Sequence, residues 1–433
     1  MSIELGRRNL LQAIAGLAYA VCAPARSAQA QAISTNPRLS IAETPAFRQD
    51  PEEVIQQRFD MYRSCGVGTL RTSVGWAQME PMQDRWVKPR NLGYIHQAMQ
   101  SGFDLKLLVS SMGAVPSWFL EASPDLRLLD QNGESTGLSL SYWHPRLEAV
   151  LASVGDDLFS RLAEEDILSA TSFLIIDAGA AGEGKYPSPW NLGRGAGGPL
   201  FWCYDPYAQQ HFSATMQSKY GSVVQANAAW GTSFGSWSDL KPPQPGASPG
   251  ALWSDVLGWY RDSKRNFIAK QIDLYNGLLQ KYAPAGHAIA PVLLIPGEHV
   301  TPDEWQAAVS QGSGNERIAA MIDTEFLLES AARTGCQVQY TGEQNEPEVR
   351  WLTNYMRSHN MDNTLLWGEN AGHAPNAVFD PTRLAGIFLK YGLYGLEYVN
   401  SSDLFESDRV TPNEWFASFR SAYVSLRDRL AAR

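Results

Sequence analysis

A parallel (β/α)8 barrel, a TIM barrel with long loops after strands 3, 4 and 5, is the fold class this sequence predicts. Three observations carry that prediction. Apolar runs of strand length alternate with helix-length amphipathic segments along the chain; eight such runs can be counted; and the fourth and the seventh lead through a glycine to Glu183 and to Glu369. A strand that ends in small residues and then offers an acid is how such a barrel displays a catalytic group at its carboxyl face.

The elements follow in order. Residues 39–42 form a short first strand, and 51–64 a helix with Val54, Ile55, Phe59 and Tyr62 on one face. The second strand, 66–74, ends in Gly-Trp-Ala-Gln-Met-Glu-Pro; the helix 91–101 is closed by Gly102. The third strand, 105–110, is followed by Met-Gly-Ala-Val-Pro-Ser-Trp-Phe-Leu, and then by a polar excursion over the barrel mouth, 124–145, that turns at Asn132-Gly133. The helix 146–165 leads into the fourth strand, 173–176. The longest insertion, 187–251, contains a helix over 205–220 and closes in a proline-rich stretch. A long helix, 252–282, precedes the fifth strand, 288–295, which ends at Gly297-Glu298-His299. Helix 319–333, strand 337–341 ending in Gly342-Glu343, helix 348–359, strand 364–367, helix 380–391, strand 393–399 and helix 415–432 complete the ring.

Composition narrows the function. Over 433 residues, 44% hydrophobic and 18% charged content is that of a globular protein, and the net charge of −10 argues against nucleic acid or an anionic membrane surface as partner. The 14 Trp and 17 Tyr suit stacking on sugar rings as well as an ordinary core. Seven scattered histidines without an H-x-x-x-H pair give no zinc pattern, no glycine-rich phosphate loop sits between a strand and a helix, and the G-x-S-x-G letters around Ser233 lack a preceding strand. No metal or cofactor is expected.

Residues 1–31 read as an export signal. Arg7-Arg8, a mildly apolar Ala/Leu/Gly run and a small-residue end near Ala30 resemble a twin-arginine signal peptide, which predicts a periplasmic or secreted mature chain, 32–433, with no membrane span. Its cysteines, Cys65, Cys203 and Cys336, form neither a disulfide framework nor a zinc set.

Two stretches carry the chemistry. Phe-Leu-Ile-Ile, 173–176, stops in the small-residue loop 178–182 and presents Glu183, with Lys185 and Tyr186 directly after it. The strand 364–367 ends in Gly368 and presents Glu369 and Asn370. Two strand-end carboxylates far apart in sequence predict an acid and base pair assembled by the fold.

The residues also resemble a known family. Gly-Ala-Ala-Gly-Glu-Gly-Lys-Tyr-Pro-Ser, 179–188, is similar to the GPAGELRYPS signature of β-amylases, glycoside hydrolase family 14, and WGENA, 367–371, to their GENA motif. KYGSVVQANAAWGTSF, 219–234, and DVLGWYRDS, 255–263, resemble segments of the bacterial members in the same order. VPSWFLEASPDLRLLDQNGE, 115–134, and VQYTGEQ, 338–344, do likewise. The resemblance implies an inverting exo-hydrolase acting on an oligo- or polysaccharide, releasing maltose-like units from an α-1,4-glucan. Glu183 would be the general acid, its pKa raised by apolar burial, and Glu369 the ionised general base. Asn370 and Thr341 would bind sugar or product, His299 falls on the family's Gly-Ile-His, and the resemblance adds Lys185, Tyr186, Trp118 and Glu343 as candidate substrate contacts.

The sugar grip departs from the family. The aspartate of its second strand falls near Ser73, the lysine before Gly-Ile-His falls on Leu294, and its last-strand arginine has no counterpart between Arg383 and Arg409. The lid after strand three is reduced to Ser-Ser-Met-Gly-Ala-Val-Pro-Ser-Trp, 110–118. Each lost charged contact is worth ~1–3 kcal/mol of binding. Two alternatives therefore stand beside the first reading: a retaining β-galactosidase-type glycosidase on the same barrel, and a catalytically silent glycan-binding barrel.

Overall fold

The computed structural model describes residues 38–189, 198–361, 364–371 and 379–432; the predicted export segment and part of the loop after Pro189 lie outside the described residues. Eight parallel strands close a barrel in sequential order: β1 (Arg38–Ala42), β2 (Thr69–Gly75), β3 (Asp104–Ser110), β4 (Thr171–Ile175), β5 (Ala290–Ile295), β6 (Gln337–Tyr340), β7 (Leu366–Glu369) and β8 (Gly395–Val399). Closure is made by β1 against β8, from Arg38 opposite Gly395 to Ala42 opposite Val399. This is the predicted (β/α)8 barrel, and each predicted strand falls on an observed one.

The strands form where β-branched and aliphatic residues run together, and they read as continuous apolar runs because helices cover their outer faces. Outward residues such as Leu70, Leu105, Leu107 and Leu174 are buried beneath that helical layer. Inward residues alternate with them and include four charges and an amide: Arg71, Lys106, Glu369 and Glu397 meet Gln339 inside the barrel. Trp367 lies close to the small Gly395, where a Cβ would come within 2.1 Å of the indole.

The excursion after β3 is a two-stranded antiparallel hairpin, Arg127–Leu129 with Ser135–Leu140, around the predicted Asn132-Gly133 turn. The insertion after β4 holds the helix Pro206–Tyr220, capped by Asp205, and a second helix, Val223–Trp230, capped by Ser222. Packed on the helix Ala251–Tyr282, they build a second apolar cluster with Phe201, Trp202, Phe212, Trp253, Trp259 and Tyr260. Much of the aromatic supply is thus core. The predicted helix 319–333 is two helices, Glu316–Ala320 and Thr324–Thr334, because Met321 adopts a left-handed conformation (φ 51°) and Asp323 caps the second. Cys65, Cys203 and Cys336 are buried free thiols. Among the described residues no helix is long and apolar enough to cross a membrane.

Candidate active site

Glu183 stands at the end of a loop that closes tightly on itself. Gly182 N–H donates to the Gly179 carbonyl (3.0 Å) and Glu183 N–H to the Ala180 carbonyl (3.0 Å), while Gly184 N–H is anchored to Leu294 on β5 (3.2 Å). Only a glycine fits at 179: a Cβ there would lie 2.3 Å from the Lys185 carbonyl oxygen. The carboxylate that results is held at both oxygens. Oε1 accepts from the Thr341 hydroxyl (2.8 Å), and Oε2 pairs with the Lys185 ammonium (2.5 Å). Glu183 therefore does not sit in the apolar pocket expected of it. Its side chain is 13% exposed and its neighbours are polar.

Glu369 ends β7 with its side chain turned inward. Its Oε2 accepts from Arg71 Nη1 on β2 (2.8 Å) and from the Gln339 amide on β6. Oε1 has no hydrogen-bond partner among the described residues. Arg71 Nη1 also reaches Glu397 on β8 (3.0 Å), as does the Gln339 amide (2.9 Å). Lys106 on β3 completes the network, with its ammonium 2.9 Å from Glu397 and 2.7 Å from the Gln339 carbonyl oxygen, close over the Trp367 ring. Two buried carboxylates thus share two buried cations, the balance that charges in a low-dielectric interior require.

That balance is uneven. Burial pushes Glu369 above the ordinary carboxylate range; Arg71 pulls it back, Glu397 adds to the rise, Gln339 opposes it and Glu183 adds a little more. Burial acts on Glu397 too, but Lys106 and Arg71 overcome it and hold that carboxyl below its ordinary value. Burial lowers the Lys106 ammonium to about 8 against the pull of Glu397. The two carboxyls are thus shifted in opposite directions, Glu369 above the ordinary range and Glu397 below it.

The remaining predicted contacts divide. Lys185 and Thr341 are brought to Glu183. Tyr186 is not available to a sugar: its ring is fully buried and stacks on Tyr260 (4.1 Å between centroids, 6° between planes). Glu343 is likewise displaced from the site. Gly368, next to the inward-facing Glu369, turns outward, and a Cβ on it would meet the Glu343 carboxyl carbon at 2.5 Å. Glu343 lies behind β7, fully buried with both oxygens unpartnered, and burial raises its pKa well above the ordinary range. Asn370 spends its amide on structure, its Oδ1 accepting from Val399 N–H (2.8 Å). His299 is held by Glu348 (2.9 Å) and stacks on Trp351 (4.0 Å), and Trp118 hangs from the Glu80 carbonyl (3.0 Å) against Trp76.

Sequence reasoning missed Arg71, Lys106, Gln339 and Glu397. The signal was present: each is a charged or amide side chain at an alternate position inside an apolar strand, where burial is tolerated only with a partner. The family pattern placed an acid on the second strand and an arginine on the last. Here Arg71 is on the second and Glu397 on the last, and the two form an ion pair (3.0 Å). Among the described residues no group of three or more His, Cys, Asp or Glu is placed to hold a metal ion.

A closed parallel barrel with strand-end glutamates after β4 and β7, each against a cation, is the class of protein that fold and site define. The model of glycosyl hydrolase family 14 matches residues 100–281, and the chain is similar to β-amylases. It is 28% identical over 170 residues to the thermophilic β-amylase of Thermoanaerobacterium thermosulfurigenes, covering 36% of this chain and 30% of that protein. It is 24% identical over 412 residues to the β/α-amylase of Paenibacillus polymyxa, covering 86% of this chain and 32% of that one. The chain thus spans about a third of the length of these curated relatives. Among solved structures, the catalytic domain of β-amylase from Paenibacillus polymyxa shares the fold at a TM-score of 0.73 and 19% identity, over 91% of this chain and 99% of that one. The β-galactosidase from the psychrophilic Marinomonas ef1 also shares the fold, at a TM-score of 0.61 and 12% identity, over 91% and 59%.

Proposed function

We propose that this chain is a glycoside hydrolase of the β-amylase kind that cleaves an α-1,4-glucan or a related polysaccharide with inversion, releasing maltose-like units from the non-reducing end. The observation that carries the proposal is the pair Glu183 and Glu369, displayed after β4 and β7 and close enough for their charges to interact. In this reading Glu183 delivers a proton to the glycosidic oxygen. The Thr341 hydroxyl suits that role because it has two acceptors, Glu183 Oε1 and the Ile295 carbonyl (3.3 Å). It donates to Glu183 when the carboxylate is ionised; when Glu183 carries the proton, it accepts and turns its own hydrogen to Ile295. Glu369 acts as the base through Oε1, the oxygen that Arg71 and Gln339 leave unused, and takes a proton from water as that water attacks the anomeric carbon.

A retaining cleavage of the β-galactosidase kind is the second reading, favoured by the likeness to the Marinomonas barrel. Inversion needs roughly 6.5–9.5 Å between the carboxyl groups to seat a water, and retention roughly 5–5.5 Å. The test is release of reducing sugar from a glycan panel that includes soluble starch, by the mature chain and by Glu183→Gln and Glu369→Gln. Turnover abolished in both variants is the expected result. Turnover that survives either substitution removes that glutamate from the mechanism, and glycan binding without turnover leaves the silent barrel. Export by the segment 1–31 belongs to the same proposal, and N-terminal sequencing of the secreted chain checks it.

A further inference from the structure

The helix Ala251–Tyr282 buries a charge where its packing calls for an apolar side chain. Lys264 is 1% exposed. Its ammonium stands near the rings of Tyr142 (4.7 Å), Tyr186 (5.1 Å) and Phe267 (5.2 Å), and no carboxylate among the described residues pairs with it. Burial drives its pKa well below the ordinary lysine value, with Asp177 opposing at a distance and Lys185 adding to the fall. An ammonium taken out of water without an anion is among the costliest things a core can hold.

What that ammonium touches explains its presence. It donates to the Ala178 carbonyl (2.7 Å), to the Lys185 carbonyl (2.8 Å) and to the Tyr142 hydroxyl (3.3 Å). Those two carbonyls are the two ends of the loop 178–185, which carries Glu183. The loop holds Ala181 in a left-handed conformation (φ 57°), and Gly179 is so close to the ammonium that a Cβ would lie 2.6 Å from Nζ. Beyond the loop's own backbone bonds and its anchor on Leu294, the one side chain among the described residues that ties both of its ends is Lys264.

We infer that Lys264 is a positioning residue whose ammonium staples both ends of the loop 178–185 and so fixes Glu183 at the barrel mouth. The catalytic part of this inference rests on the reading of Glu183 as a glycosidase acid; the staple itself does not.

The experiment compares the wild-type chain with Lys264→Met, which keeps the stem and removes the charge. Native-state hydrogen exchange should show the amides of Gly182, Glu183 and Gly184 losing about tenfold or more of their protection while those of the barrel strands keep theirs. On a glycan that the wild type cleaves, kcat should fall by about a hundredfold with KM nearly unchanged. Unchanged loop protection overturns the inference, as does a loss spread evenly over the barrel. Should Lys264→Met not fold, Lys264→Ala with ethylammonium decides: loop protection restored by ethylammonium but not by ethanol supports the staple, and restoration by neither or by both overturns it. A wild-type chain that cleaves no glycan overturns the glycosidase reading, while the exchange pattern still decides the staple.

Discussion

Replacing Arg71 by methionine should displace the acid limb of the pH profile and leave the alkaline plateau in place. Two unit charges ~4 Å apart at an effective dielectric of ~20 interact by ~4 kcal/mol. Arg71 Nη1 stands 2.8 Å from Glu369 on a side chain that is 16% exposed, and solvent screening leaves roughly half of that, ~2 kcal/mol, on Glu369. At 1.36 kcal/mol per unit, loss of the guanidinium raises the Glu369 pKa by ~1–2 units. The sign follows from the role. Glu369 works as a base only when ionised, burial has already raised its pKa, and Arg71 is the cation that restrains the rise. Without Arg71, the acid limb of kcat/KM moves to higher pH by that amount. Activity below the limb falls ~10–100-fold, and the two enzymes converge at high pH. Arg71→Lys, which keeps the charge, should move the limb less. The assay is kcat/KM against pH for wild type and both variants, with circular dichroism as the check on folding. A folded Arg71→Met protein whose acid limb coincides with that of the wild type refutes the reasoning.

Three further outcomes are expected. Gly179→Ala places a methyl 2.3 Å from the Lys185 carbonyl oxygen and 2.8 Å from that of Glu183, so it should cost ~1–3 kcal/mol in urea melts and lower kcat more than it raises KM; a neutral result would show that the loop has room. Thr341→Val removes the hydroxyl from Glu183 and should lower kcat about tenfold with little change in stability, and an unaltered kcat would remove Thr341 from the proton's path. Glu343 has a folded-state pKa raised by burial, so its contribution is fully present below the unfolded carboxylate pKa and is lost as pH rises toward the folded one. Glu343→Gln should therefore raise the melting temperature, and by more at pH 8 than at pH 5; a gain of equal size at both would contradict a proton held there.

The fold was legible because a barrel writes itself twice, once in the apolar runs and once in the helices between them. The boundaries that slipped did so for local reasons. The helix Pro302–Gln311 was overlooked although Thr301 and Glu304 form a capping box before it, and the predicted helix 319–333 ran through the left-handed Met321. The site was legible only in part. Glu183 and Glu369 follow a glycine at a strand end, as Glu298 and Glu343 also do, and stand out from those by the β-amylase-like motifs around them, residues 179–188 and 367–371; Lys185 lies within the first of these. Arg71, Lys106, Gln339 and Glu397 act through one another across four strands, and no linear spacing reports that. Tyr186 and Glu343 were misassigned for the converse reason. Adjacency to a motif says nothing of the side on which a strand or loop turns its next residue, and both face the core.

The measurement that bears most directly on the central claim is the anomeric configuration of the first product, followed by proton NMR as soluble starch or the best glycan of the panel is cleaved, with Glu183→Gln and Glu369→Gln alongside. The account predicts that the inverted, β-configured sugar appears first and mutarotates later, and that neither variant produces it. A first product that retains the configuration of the bond cleaved would contradict inversion and assign Glu369 to a nucleophile's role instead.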